Sequence, residues 1–167
     1  MSDNSVSALR LPCDDRTLSI MSELFVQEHI FKVLDMRVKT FIGAHRLFKN
    51  IENGYVRVYG AFFQDRIIGV CFGNIEPGTS DFCTHLAFLR HSKALEGCFA
   101  CAAAMVADYA KEGIIVQSIV GYIPEHNKAA LRIARFYGCK DYGIDKTKTI
   151  VENCYEIPCR VMKKELK

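Results

Sequence analysis

The sequence predicts a mixed α/β fold: a central mixed β-sheet flanked by helices, in the order β-α-α-β-β-β-α-β-α-β-β. Three observations predict it. Apolar residues recur with helical spacing between 14 and 48, then give way to β-branched and aromatic runs between 55 and 89. From there on, helical and extended patterns alternate. With 167 residues the chain is long enough for one well-buried core and short for two, so a single domain over 1–167 is expected.

The elements follow in order. After a short apolar entry, Ala8–Leu11, Asp14 or Asp15 can cap a helix whose apolar positions are Leu18, Met21, Phe25 and Ile30. A second helix, about Val38 to Phe48, ends at Asn50–Gly54. "YVRVYGAFFQ" (55–64) and "RIIGVCFGNI" (66–75) read as strands, with Gln64-Asp65 as a hairpin-length link. "EPGTS" (76–80) is a turn cluster before a third strand, "DFCTHLAFL" (81–89). A long helix from about Lys93 to Lys111 carries the stripe Leu95, Cys98, Phe99, Ala102, Met105, Val106 and Tyr109, and Gly113 stops it. "VQSIVGYI" (116–123) is a strand, Lys128–Tyr137 a helix, and late strands follow near 140–150 and 153–162.

Composition excludes several classes. Half the residues are hydrophobic, a quarter are charged, and the net charge is +3, without the dense Lys/Arg stripe that nucleic acid requires. The basic cluster Arg160, Lys163, Lys164 and Lys167 reads as a solvated tail. Met1–Ser5 lacks the basic and apolar regions of a secretory signal, and runs such as 98–107 are too short to span a bilayer. A soluble cytoplasmic protein with no membrane or nucleic-acid partner is the expectation. The eight cysteines sit mostly in apolar stretches, as buried free thiols do in a reducing compartment. Cys98 and Cys101 form a CxxC, but without a second pair, and inside a helical apolar pattern they read as core packing rather than a zinc or redox site.

The segment "GYIPEHNKAALRIARFYGCKDYG" (121–143) joins a strand to a helix. Asn127 can cap that helix, Ala130 and Ile133 share a face of it, and Gly138 can supply the left-handed residue at its end. Pro124 cannot donate a ladder hydrogen bond and suits a break in strand pairing. The spacing Asn127, Ala130, Ile133, Gly138, Cys139 resembles the signature N-x-x-A-x-x-φ-Y-x-x-x-G-F of the GNAT superfamily of N-acetyltransferases. The element order is similar too, so the likeness extends over nearly the whole chain.

The resemblance implies a fold in which the strand before this helix splays from its parallel neighbour and acetyl-CoA enters the gap. It places the pyrophosphate loop at "RHSKALEGCF" (90–99), where a helix N-terminus offers converging amides. Against the loop pattern [QR]-x-x-G-x-[GA], Gly97 fits, while Ala94 and Phe99 depart. The cofactor contacts implied are Ala87 and Leu89 on the third strand, Lys93, Ala94, Leu95, Gly97 and Cys98 at the loop and helix start, and Asn127 and Ala130.

The implied activity is acetyl-CoA-dependent transfer of an acetyl group to a primary amine, on a small molecule or a protein. The general acid of such enzymes is a Tyr seven residues after the Asn, where this chain has Ala134; Tyr137 lies one turn on as a substitute. His85 is the candidate base, with a near-neutral titration and a place on the face of Cys83 and Ala87. Glu76, Asp81, Glu125 and His126 border the same end of the sheet, and Tyr122 and Tyr142 are further tyrosines near it. The alternative reading is a catalytically degenerate GNAT-like binding or assembly protein. The look of 116–143 is similar to bacteriophage-encoded GNAT-like proteins linked to the virion or head assembly, which would add a homo-oligomer or virion partner. The acceptor amine is not legible, and no metal is expected.

Overall fold

A computed structural model describes residues 5–32, 35–39, 41–152 and 155–166. Cys154 and Lys167 lie outside the described residues. Seven strands form one sheet in the order β1-β2-β3-β4-β5-β7-β6. They are β1 (Val6–Arg10), β2 (Arg57–Phe63), β3 (Arg66–Ile75), β4 (Asp81–Phe88), β5 (Ser118–Pro124), β6 (Lys140–Glu152) and β7 (Tyr155–Glu165). The helices are α1 (Asp15–Phe25), α2 (Glu28–Phe31), α3 (Met36–Lys39), α4 (Phe41–Glu52), α5 (Ala94–Lys111) and α6 (Lys128–Phe136). Every neighbouring pair is antiparallel except β4 with β5.

The expected mixed sheet and helical flanks are present, with a correction in the first helical region. Ile30 does not belong to the first helix: α1 ends at Phe25, Gln27 turns extended at φ −62° and ψ 127°, and α2 starts afresh. The apolar spacing resumes nearly in register across the break, so periodicity alone reads through it. The predicted helix over 38–48 is likewise divided between α3 and α4. Asp14 caps α1 by accepting from the Thr17 amide at 2.9 Å. The β2–β3 hairpin turns on Gln64 and Asp65, both left-handed at φ 50° and 61°, as a two-residue turn matched to strand twist demands.

Alternation along β3 divides the core between the two faces of the sheet. Val70 and Phe72 pack with Met21, Leu24 and Ile51 from α1 and α4, while Cys71 packs on the opposite face with Cys101, Met105 and Tyr109 of α5. Met21, Cys101 and Met105 are all almost fully buried, and each large side chain so placed contributes about 1.5–3 kcal/mol. Both members of the CxxC are buried in α5 as expected, with the Cys101 thiol directed to Tyr59 O. Gly97 holds α5 close to the sheet: a Cβ there would stand 2.8 Å from the Phe88 ring and 3.1 Å from Ala61 Cβ.

Candidate functional site

The parallel pair is short. β4 and β5 are joined only at Asp81–Ser118, Phe82–Ile119 and Cys83–Val120. Beyond Val120 the strands part, although β5 continues to pair with β7 as far as Pro124. The break therefore starts at Gly121, three residues earlier than Pro124 suggests; the proline ends the strand rather than opening the gap. At the root, Ser118 Oγ donates to Asp81 Oδ1 at 2.6 Å, and Lys163 Nζ reaches Asp81 Oδ2 at 3.0 Å. Burial alone would raise the Asp81 pKa, but these two donors outweigh it and hold the carboxyl below its ordinary value.

The register of β4 decides which of its backbone groups face the gap. Leu89 donates to Ile68 O at 2.9 Å, so the directly opposed pairs Ala87–Val70 and His85–Phe72 also exchange hydrogen bonds with β3. The amides of Leu86 and Phe88 consequently point the other way, toward the splayed β5. The Phe88 carbonyl on that edge accepts from His29 Nε2 of α2 at 2.9 Å.

A cavity of about 180 Å³ occupies the gap and is lined from both faces of the sheet. On the α5–α6 side its walls include Cys98, Phe99, Ala102, Asn127, Ala130 and Tyr137. On the α1–α4 side they include Ile30, His85, Tyr122 and Ile150. That second mouth is bridged above: the Asp35 carboxylate accepts from the amide of Arg37 at 2.8 Å and from that of Val151 on β6 at 3.2 Å.

Neither a protein-family model nor a characterised relative matches the sequence. Solved structures do match. An acetyltransferase from Salmonella typhimurium that modifies the N-terminal serine of the 50S ribosomal subunit protein L7/L12 gives a TM-score of 0.70 at 17% identity, over 96% of this chain and 96% of that one. RimL, the ribosomal L7/L12 alpha-N-protein acetyltransferase, in complex with coenzyme A gives 0.70 at 17%, over 99% and 97%. The microcin C7 self-immunity acetyltransferase MccE, in complex with acetyl-CoA and AMP, gives 0.71 at 13%, over 96% and 93%. The chain has the GNAT acetyltransferase fold.

Within this GNAT fold, the Asn127 segment behaves locally as its spacing predicts. Asn127 Oδ1 accepts from the Ala130 amide at 3.1 Å, and Gly138 is left-handed at φ 87° just past the end of α6. Asn127 and Ala130 line the cleft. Cys98 lines it too, but burial pushes its thiol up to about 12, so it stays protonated and apolar.

The other candidate contacts, Ala87, Leu89, Lys93, Ala94, Leu95 and Gly97, do not line the cleft. Ala87 is buried among Met21 and Leu24, outside the cleft, and both its amide and that of Leu89 are directed to β3. Their neighbours Leu86 and Phe88 carry the free donors. Gly97 faces the sheet, and its amide is spent on Lys93 O at 2.9 Å. Lys93 pairs with Glu96 at 2.7 Å, and the Ala94 amide bonds to His91 O at 3.0 Å. In this first turn of α5, the amides of Leu95 and Glu96 have no backbone acceptor among the described residues.

The two catalytic candidates stand at opposite mouths of the cavity. His85 is stacked on Phe72 with ring centroids 5.3 Å apart. The residue is exposed within the cleft, yet protein atoms crowd about its ring. That crowding holds its pKa below the ordinary imidazole value, against the pull of Asp35. Tyr137 caps the end of α6 and packs on Phe99 at 5.1 Å, with Lys164 Nζ 3.9 Å from its ring centre. Burial raises its pKa, so the hydroxyl is protonated throughout the neutral range. Ala134 also lines the cleft.

Of the bordering acids, Glu125 pairs with Arg160, and His126 Nε2 lies 2.9 Å from Glu152. One partnership had no local signal in the sequence: Lys148 of β6 meets Glu76 and the ring of Tyr122, a residue of the cavity wall. Among the described residues, no group of three or more His, Cys, Asp or Glu could hold a metal, and no helix is long and apolar enough to cross a membrane.

Proposed function

We propose that this protein transfers an acetyl group from acetyl-CoA to a primary amine. The observation that carries the reading is the cavity between β4 and β5. Because it is lined from both faces of the sheet, a thioester arriving from the α5–α6 side and an amine arriving from the α1–α4 side meet inside it. The coenzyme A in RimL and the acetyl-CoA in MccE, on the same fold, support acetyl-CoA as the co-substrate.

The residues present fit that group. A channel walled by Ala102 and Ala130 suits an unbranched pantetheine arm, and the gap-facing N–H of Phe88 can donate to one of its carbonyl oxygens. The open amides of Leu95 and Glu96, with Lys93 close by, suit a diphosphate at the start of α5. When bound, acetyl-CoA supplies the acyl group and the leaving thiolate. Leu86 N–H donates to the carbonyl oxygen as negative charge builds on it. His85, neutral near pH 7, takes the proton from the amine, and Tyr137 gives a proton to the sulfur. A cytoplasmic setting, which holds acetyl-CoA and keeps thiols reduced, agrees with the free cysteines described.

A second reading, a GNAT fold retained for binding or assembly without turnover, is favoured by one observation: Ala134 stands on the cleft wall where a proton donor is expected. Thermal denaturation with acetyl-CoA, followed by thiol release with a panel of amines, tests both. Ligand at 100 times its dissociation constant raises stability by about 2.7 kcal/mol. No shift at millimolar acetyl-CoA overturns the transfer reading. A shift without thiol release, together with co-purification in a larger complex, supports the assembly reading.

A further inference from the structure

On its α1–α4 side the cavity is lined by an aromatic ring, Tyr122, that carries a carboxylate and an amine beside it. Tyr122 lies on β5 beyond the last parallel pair and lines the cavity. Its hydroxyl donates to Glu76 Oε2 at 2.8 Å, and Glu76 Oε1 accepts from Lys148 Nζ at 2.6 Å. The same Nζ stands 4.6 Å from the centre of the Tyr122 ring. One carboxylate and one ring thus converge on one ammonium, and both attractions are those by which proteins recognise organic cations.

Stability alone gives this cluster little purpose. The Lys148 and Glu76 side chains are 37% and 23% exposed, and ion pairs open to water contribute little. The three residues come from just past β3, from β5 and from β6, and the assembled sheet brings them together. Tyr122 is held protonated, pushed up to about 12 by burial and by its bond to Glu76, so the carboxylate remains the sole anion of the group.

We propose that Glu76 and Tyr122 form an ammonium-binding subsite for the acceptor, and that Lys148 occupies it as a built-in stand-in until an acceptor displaces it. The ligand class is an alkylammonium on an unbranched apolar stem. That is what Lys148 itself presents, and Ile30 and Ile150 make the adjoining wall apolar. The inference rests on the amine-acetyltransferase reading above and deepens it.

The test is calorimetric titration of the full chain with n-butylammonium chloride, against sodium chloride at matched ionic strength and with no acetyl-CoA present. Lys148→Met keeps the stem and removes the charge, and is expected to bind the probe at least tenfold more tightly than the wild type. Adding Glu76→Gln removes that gain, whereas adding Tyr122→Phe, which keeps the ring, retains most of it. Lys148→Gln serves as a second opening of the site should the first variant fold poorly. Equal affinity in the wild type and both Lys148 variants overturns the proposal, as does a gain that survives Glu76→Gln. A null titration beside an intact acetyl-CoA thermal shift overturns the subsite alone. Tight probe binding without that shift overturns the transfer reading instead.

Discussion

Asp81 and Ser118 form the first of the three residue pairs that join β4 to β5, and their side chains are bonded at 2.6 Å. The carboxylate is the anchor of this root, since it also holds Lys163. Its folded pKa lies below the ordinary value, so its contribution is fully present above about pH 3.9 and is lost as pH falls through the folded value. Asp81→Asn is expected to lower stability at pH 7 by about 1–3 kcal/mol and to flatten the acid limb of a urea-denaturation series between pH 5 and 2. An acid limb as steep as that of the wild type would remove Asp81 from this role.

Asn127→Ala deletes the cap of α6 and leaves the Ala130 amide without its acceptor. The expected loss is about 1 kcal/mol of stability, together with a smaller acetyl-CoA thermal shift. Asn127→Asp keeps the oxygen and restores the stability. Unchanged coenzyme affinity in the alanine variant would show that α6 does not border the bound arm.

Gly97→Ala sets two effects against each other. Alanine favours a helix interior over glycine by about 1 kcal/mol, while overpacking a core costs about 1–3 kcal/mol. With a Cβ 2.8 Å from the Phe88 ring, the packing cost wins, and a lower melting temperature is expected. Phe88→Leu in the same chain should restore much of it, and failure of that rescue would point away from the ring as the obstacle.

His85 has a pKa held below the ordinary imidazole value, so it is mostly neutral at pH 6.5, where a free imidazole is half charged. If it accepts the amine proton, the acid limb of kcat/KM lies below pH 6.5, and His85→Gln abolishes that limb. A profile unaltered by the substitution would end its candidacy.

Tyr137→Phe keeps the contact with Phe99 and removes only the hydroxyl. A fall in kcat of about 10²- to 10⁴-fold with little change in melting temperature is expected if it protonates the thiolate. Near-normal turnover would leave solvent as the proton source.

The site was legible where chemistry is local. Asn127 as a cap and Gly138 as a left-handed terminus are properties of single residues in a helical frame. Apolar spacing carries on across the turn at Gln27 and so joins Ile30 to the first helix, although the chain breaks there. Likeness to a segment points to Ala87 and Leu89, but which amides face the gap depends on hydrogen-bonding parity with β3, to which side-chain patterning is blind. The onset of the splay at Gly121 follows from the divergence of two strands and carries no mark of its own. Lys148 escaped notice for a related reason: 72 residues separate it from Glu76, and only the assembled sheet closes that distance.

The brevity of the β4–β5 ladder has a mechanical consequence. Within the sheet, three bridged pairs join a four-stranded half, β1 to β4, to a three-stranded half, β5 to β7, so the sheet is built as two plates with one short seam. Whatever fills the gap acts as a wedge between the plates and lends β4 the neighbour it lacks. Occupancy would then register in slower hydrogen exchange at Leu86 and Phe88, two amides that report on ligand from within the backbone itself.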